Sequence, residues 1–314
     1  SSFSSPLAVG MSGNFRQMKR RILNIAVFRK ETLYQKMRAL IIYLVISAVF
    51  IGCTPILSID ASTQSVYHFS DTDKNISLLD ISETFGTYDG SFVLYDNNLD
   101  SWKIYDLEEA TKRIPPESTY KIYDALLGLE SGIITPEHSS MTWNGDAFPF
   151  PSWEADQDLN SAMQNSVNWY FQAIDSQLGI NRVQEFLNKI EYGNQTTSSN
   201  LDLYWSDFSL KISPLEQVTL LKKFNTNEFH LNSQNVFSVK NAIKIASTPN
   251  GNFYGKTGTG RVNGQDINGW FIGYVETSDN SYYFATNIQS DSNATGKKAF
   301  EITSNILKKL HIWN

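Results

Sequence analysis

The longest almost wholly apolar stretch runs from Ala39 to Leu57 (ALIIYLVISAVFIGCTPIL) and contains no charged residue. Its length is close to the ~20 residues a membrane-crossing helix needs. Arg16, Lys19, Arg20, Arg21, Arg29, Lys30, Lys36 and Arg38 precede it against one acid, Glu31, whereas Asp60, Asp71 and Asp73 come after it before the first base, Lys74. That asymmetry predicts a cytoplasmic basic segment over 1–38, one transmembrane helix over 39–57, and an outside location for residues 58–314. A cleaved leader is the competing reading, because Phe50-Ile51-Gly52-Cys53 faintly matches a lipoprotein processing box, although phenylalanine is a poor first residue for it. The polar, Ser-, Thr- and Asp-rich run 58–75 reads as a linker, and a single globular domain is expected over 76–314.

Within that domain the periodicity changes from two to about 3.6 and back. Ser91–Asp96 and Trp102–Asp106 flank an Asn-Asn-Leu-Asp turn and predict a hairpin. After Pro115-Pro116, apolar residues at Ile122, Ala125, Leu126 and Leu129 recur at i, i+3, i+4 and i+7, predicting a helix that opens near Ser118 and stops at Gly132. Strand-like runs return at Asn252–Gly260, Gly269–Val275 and Tyr282–Thr286, and Lys298–Leu310 has the spacing of a last helix. The expected fold is α/β of the α+β kind: one antiparallel sheet, completed by a chain return to the first hairpin, with helices packed on it.

Composition narrows the chemistry. Lys+Arg 26 against Asp+Glu 32 gives a net charge of -6, and no basic patch outside the N-terminal segment points to nucleic acid. Cys53 is the only cysteine, which excludes a disulfide framework and a thiolate metal site. The four histidines, His68, His138, His230 and His311, are scattered without metal-ligand spacing, so no metal is expected in this chain.

Three short motifs carry the candidate chemistry: Ser118-Thr119-Tyr120-Lys121, Ser166-Val167-Asn168 and Lys256-Thr257-Gly258. Each alone is weak; all three in this order make the signal. A serine hydroxyl needs a base within hydrogen-bond reach to act as a nucleophile. One helical turn separates Ser118 from Lys121, and lysine serves as a base only if burial or a neighbouring cation, here Lys256, lowers its pKa. Lys256 and Thr257 offer a cation and a hydroxyl to a substrate carboxylate, and Gly258 permits close approach of the strand backbone. The backbone N–H of Ser118, at a helix start, is a candidate oxyanion donor.

From about Ile81 onward the chain resembles the penicillin-recognising serine enzymes, in particular the class D β-lactamases. Besides the three motifs it has Tyr192-Gly193-Asn194, Tyr204-Trp205 and Leu210-Lys211-Ile212-Ser213. The resemblance implies that Ser118 is acylated by β-lactams and that Lys121 carries CO2 as a carbamate base, held by Trp205. It further implies that Ser166 relays the proton, that Lys256 and Thr257 bind the substrate carboxylate, and that the N–H groups of Ser118 and Thr259 form the oxyanion hole. One position departs: hydrolytic class D enzymes usually have an aliphatic residue where this chain has Asn168. An amide there can hydrogen-bond the free lysine and favour loss of CO2, which suits a sensor and spoils a hydrolase.

With its N-terminal pattern, the chain is similar to the BlaR/MecR family of β-lactam receptors, and the runs Ser118–Tyr123 and Met163–Phe171 look particularly like it. That likeness implies a membrane-anchored receptor with an extracellular sensor domain and covalently bound β-lactam antibiotics. It also implies a C-terminal fragment whose zinc protease and earlier helices lie elsewhere, and a downstream repressor as partner. A membrane-bound or lipoprotein class D β-lactamase is the alternative, and a cell-wall transpeptidase the third reading.

Overall fold

The computed structural model describes residues 65–70 and 74–314. The basic segment, the apolar run 39–57 and most of the linker lie outside the described residues. Among the described residues no helix is long and apolar enough to cross a membrane.

The core of the domain is a seven-stranded sheet of β1 (Asn75–Leu78), β2 (Asp89–Asp96), β3 (Ser101–Tyr105), β4 (Lys244–Thr248), β5 (Gly251–Val262), β6 (Gln265–Glu276) and β7 (Ser281–Gln289). Its order is β1-β3-β2-β7-β6-β5-β4. The chain return that the strand pattern requires is the β2–β7 pairing, with Phe92 opposite Thr286 and Leu94 opposite Phe284. The sheet departs from the all-antiparallel expectation at one edge, where β1 pairs parallel to β3. Within the run read as a linker, Val66 bridges Lys112, and the Tyr67 N–H donates to the Thr111 carbonyl at 2.8 Å.

The central strands are near-continuous apolar runs because both sheet faces are covered. Along β2, Val93 and Tyr95 enter one core and Phe92 and Leu94 the other. Along β6, Trp270, Ile272 and Tyr274 alternate in the same way with Phe271 and Val275. The larger core packs against α1 (Lys121–Glu130), α2 (Leu159–Gln164), α3 (Asn168–Leu178), α4 (Ile180–Ile190), α5 (Pro214–Asn225) and α6 (Ser233–Ala242). The smaller core lies under α7 (Gly296–Lys309), through Ala299, Ile302 and Ile306.

Helix α1 is more buried than a one-sided stripe implies: every residue from Lys121 to Leu129 is buried. It is the central helix, and Gly128 lets it approach α3, since a Cβ there would meet Ile174 Cγ2 at 3.0 Å. It ends where expected, with Gly132 at φ +71 just beyond its last turn.

Candidate active site

Ser118 does not sit on α1 itself. The segment Glu117–Tyr120 is a turn of 3₁₀-helix that feeds into α1 at Lys121. This tighter turn still brings the two side chains together, with Lys121 Nζ 3.0 Å from Ser118 Oγ. The Lys121 ammonium also donates to Asn168 Oδ1 at 2.8 Å, from the first residue of α3. The rings of Trp205 and Phe171 flank it, 5.3 and 5.5 Å from Nζ to their centroids.

The second motif forms the turn between α2 and α3, and Ser166 adopts a left-handed φ of +54 there. Its hydroxyl accepts a short hydrogen bond from Lys256 Nζ, which also donates to the Thr257 carbonyl at 3.0 Å. Lys256-Thr257-Gly258 lies in the middle of β5 rather than at its end. The glycines there are required by close approach. A Cβ on Gly258 would stand 3.1 Å from Glu117 Cβ and 3.3 Å from the Ser118 nitrogen, and one on Gly260 would meet Glu117 Oε1 at 2.4 Å. The β5 backbone is thus pressed flat against the turn that carries Ser118. Thr259 is exposed, and its hydroxyl accepts from the Gly296 N–H at 2.8 Å, tying β5 to the start of α7.

Burial governs the electrostatics. It lowers Lys121 to about 8, with Asp124, Glu117 and Asp175 opposing. It also drives Lys256 well below the usual lysine range, helped by repulsion from Lys121. The two lysines are therefore shifted toward the uncharged form for a shared reason, and the effect of one cation on the other falls on Lys256. Neither forms an ion pair with a carboxylate among the described residues.

The family marks outside the three motifs shape the wall behind Lys121. Asn194 Nδ2 donates to the Ser209 carbonyl at 2.7 Å, and its Oδ1 accepts from the Lys211 N–H at 2.9 Å, clamping the segment that follows Trp205. Gly193 has φ +53, and a Cβ there would overlap the Lys211 carbonyl oxygen at 1.9 Å. Tyr192 packs edge-on against Tyr120 and Tyr123, below the nucleophile turn.

An open cleft of about 420 Å³ exposes Ser118, Ser166, Asn168, Thr257, Gly258 and Thr259 together. Phe150 and Trp153 also line it, and sequence reasoning did not single them out. Trp153 is held by its Nε1–H to the Asn165 carbonyl at 2.9 Å. Arg261 lines the rim but is ion-paired to Asp266 at 2.7 Å.

Glu117 was missed as well. It has φ +52, its N–H donates to the Trp205 carbonyl, and its Oε1 accepts from Asn268 Nδ2 at 3.3 Å. Desolvation pushes its carboxyl up to about 8, against the opposing pull of Asn268 and Lys121. Between its ordinary value of 4.5 and about 8 the folded protein holds a proton that the unfolded chain has released. Stability therefore falls as pH rises through that window, by at most about 1.4 kcal/mol per pH unit. Glu117→Gln keeps the shape of the protonated acid and is expected to flatten the slope, as read by urea unfolding from pH 5 to 8; an unchanged slope means that Glu117 is ionised in the folded state.

A model of the penicillin-binding protein transpeptidase domain matches residues 87–308. The regulatory protein BlaR1 of Bacillus licheniformis is 43% identical over 314 residues, which cover 99% of this chain and 52% of that protein. The chain spans about half the length of the curated regulators it matches. The solved C-terminal domain of the Bacillus licheniformis BlaR penicillin-receptor superposes with a TM-score of 0.75 at 45% identity, covering 77% of this chain and 99% of that domain. The class D β-lactamase BAT-2 superposes with a TM-score of 0.71 at 36% identity, covering 75% of this chain and 97% of that enzyme.

Proposed function

Because the chain belongs to the penicillin-binding protein transpeptidase family and resembles BlaR/MecR-type sensors along nearly its whole length, we propose that it is a β-lactam receptor acylated at Ser118. The observation that carries the receptor reading is the Lys121–Asn168 hydrogen bond of 2.8 Å. In acylation the Lys121 amine takes the Ser118 proton while Oγ bonds to the lactam carbonyl carbon. The N–H groups of Ser118 and Thr259 receive the developing oxyanion. The lactam C–N bond then breaks, and the proton passes through Ser166 to the leaving nitrogen. Lys256 and Thr257 hold the substrate carboxylate.

Deacylation needs a second activation, this time of water, and here Asn168 intervenes. The pocket fits a lysine carbamate in its apolar Phe171 and Trp205 walls, but Asn168 Oδ1 already holds the amine hydrogen. When present, CO2 on this nitrogen supplies a carboxylate base. Asn168 competes for the same nitrogen: once the Ser118 proton has passed to the leaving nitrogen, its Oδ1 favours the amine taking a new proton from solvent over taking up CO2. A protonated Lys121 cannot activate water, so the serine stays acylated and the antibiotic is registered rather than destroyed.

The alternative is a class D β-lactamase, and turnover separates the two. A chromogenic cephalosporin is expected to give a burst of about one equivalent followed by a negligible steady state; sustained hydrolysis assigns the chain to the enzymes. The run 39–57 and its basic flank support a membrane anchor with the sensor domain outside. Protease added to intact cells should then digest residues after Leu57 and spare those before Arg38; recovery of a soluble chain starting near Cys53 rejects the anchor.

A further inference from the structure

Asp124 and Asp175 have no role in the chemistry above, yet both are fully buried beneath the nucleophile turn. Asp124 lies on α1, one turn beyond Lys121, and Asp175 lies on α3. Among the described residues the pair accepts one hydrogen bond, from Tyr204 Oη to Asp175 Oδ1 at 3.3 Å. Among the described residues, neither oxygen of Asp124, nor Oδ2 of Asp175, meets an N–H or O–H donor. The two carboxyls instead act on each other across α1 and α3, and burial raises both above the usual carboxylate range. Two bare carboxylates in that position repel without solvent to screen them, and one proton between them removes the conflict.

A single shared proton would leave one negative charge behind Lys121. Nζ itself touches only the neutral acceptors Ser118 Oγ and Asn168 Oδ1, so an ammonium there lacks a direct ion pair. Of the carboxyls whose charge bears on it, Asp124 comes first, ahead of Glu117 and Asp175. We infer that Asp124 and Asp175 share a single proton and together act as the buried counter-charge of Lys121. They are a positioning pair that decides when the lysine is an ammonium ion and when it is a free base. The inference rests on the reading of Lys121 as the base for Ser118. It adds a second hold on the protonated lysine: Asn168 accepts its hydrogen, and the acid pair balances its charge.

The titratable surroundings are few. Tyr120 and Lys121 approach from the nucleophile turn and α1, Tyr170 from α3, and Tyr204 and Asp202 from the segment after α4. The tyrosines are all raised by burial and stay neutral in the working range. Around Lys121 the remaining charges are those of Glu117 and Lys256. Glu117 is pushed up to about 8, as Lys121 is brought down to about 8, so the test must separate the two.

The test is the pH profile of Ser118 acylation by benzylpenicillin in the full chain and in the double variant Asp124→Asn, Asp175→Asn. The two amides can still hydrogen-bond each other, but the charge is gone. Lys121 then loses its proton more readily, and the acid limb of the rate profile is expected to move down by about one pH unit. On that limb acylation becomes about tenfold faster. A limb at its native position overturns the inference. Labelling of Ser118 at the plateau reports on the base reading itself, so failure of one is distinguishable from failure of the other. A second measurement does not depend on the double variant folding. In Glu117→Gln, which removes the other raised carboxyl among the described residues, the infrared spectrum should retain one protonated buried carboxyl band up to the pH of the acylation limb. Loss of every protonated carboxyl band well below that limb overturns the shared proton.

Discussion

Excess benzylpenicillin is expected to add a single penicilloyl mass to the peptide carrying Ser118, and Ser118→Ala to abolish it. The expectation comes from the half-buried Ser118 hydroxyl lining the cleft with a lysine amine 3.0 Å away. Lys121→Ala is expected to slow acylation by ~10²–10⁴, the usual contribution of a positioned general base. The pH dependence has a definite sign. Lys121 is a base only when uncharged, and burial brings its pKa down to about 8. Acylation should therefore rise with pH toward about 8 and level off above it. Unchanged labelling of the Ser118→Ala protein ends the case for this site. A pH-independent rate in the native protein assigns the proton to another base.

Replacing Asn168 by valine is expected to convert a persistent acyl-enzyme into one that hydrolyses about a hundredfold faster or more, in the range a restored general base supplies. The side chain at issue accepts from Lys121 Nζ at 2.8 Å, opposite the Phe171 and Trp205 rings. Valine there leaves the nitrogen with an apolar wall and no acceptor but Ser118, so an ammonium is disfavoured and the free amine can again take up CO2. Labelled CO2 provides the readout. In the acylated proteins its carbamate resonance should be absent from the native chain and present in Asn168→Val. Added bicarbonate should do little for the native acyl-enzyme. Native protein that turns over penicillin many times per second with its carbamate intact is a β-lactamase, and the receptor reading fails.

Much of the fold was readable from residue order alone. The runs Ser91–Asp96, Gly269–Val275 and Tyr282–Thr286 fall inside β2, β6 and β7, because strands buried on both faces are written as unbroken apolar stretches. The Pro115-Pro116 start and the Gly132 stop bracket the nucleophile segment because both act through local backbone geometry. The parallel β1 strand was not readable. It is four residues long and half polar, and its direction depends on where β3 lies. Nor was it visible that the 3₁₀ turn displaces Ser118 from α1, since i to i+3 spacing is compatible with both helices.

At the site, the sequence singled out Ser118, Lys121, Ser166, Asn168 and the Lys256-Thr257-Gly258 strand as candidates, because reactive residue types at fixed short spacings are a local signal. Their convergence required the tertiary structure. Lys121 meets Asn168 across 47 residues and Lys256 meets Ser166 across 90. Asp124 left a faint trace, a lone acid inside an apolar helix, but its partner on α3 could not be named from spacing. Glu117 left none, since it precedes the nucleophile as an ordinary charged residue would. Local composition and periodicity determine which groups are available and which elements carry them. Burial determines whether a lysine is a base or a carboxyl keeps its proton, and burial depends on packing among segments far apart in the chain.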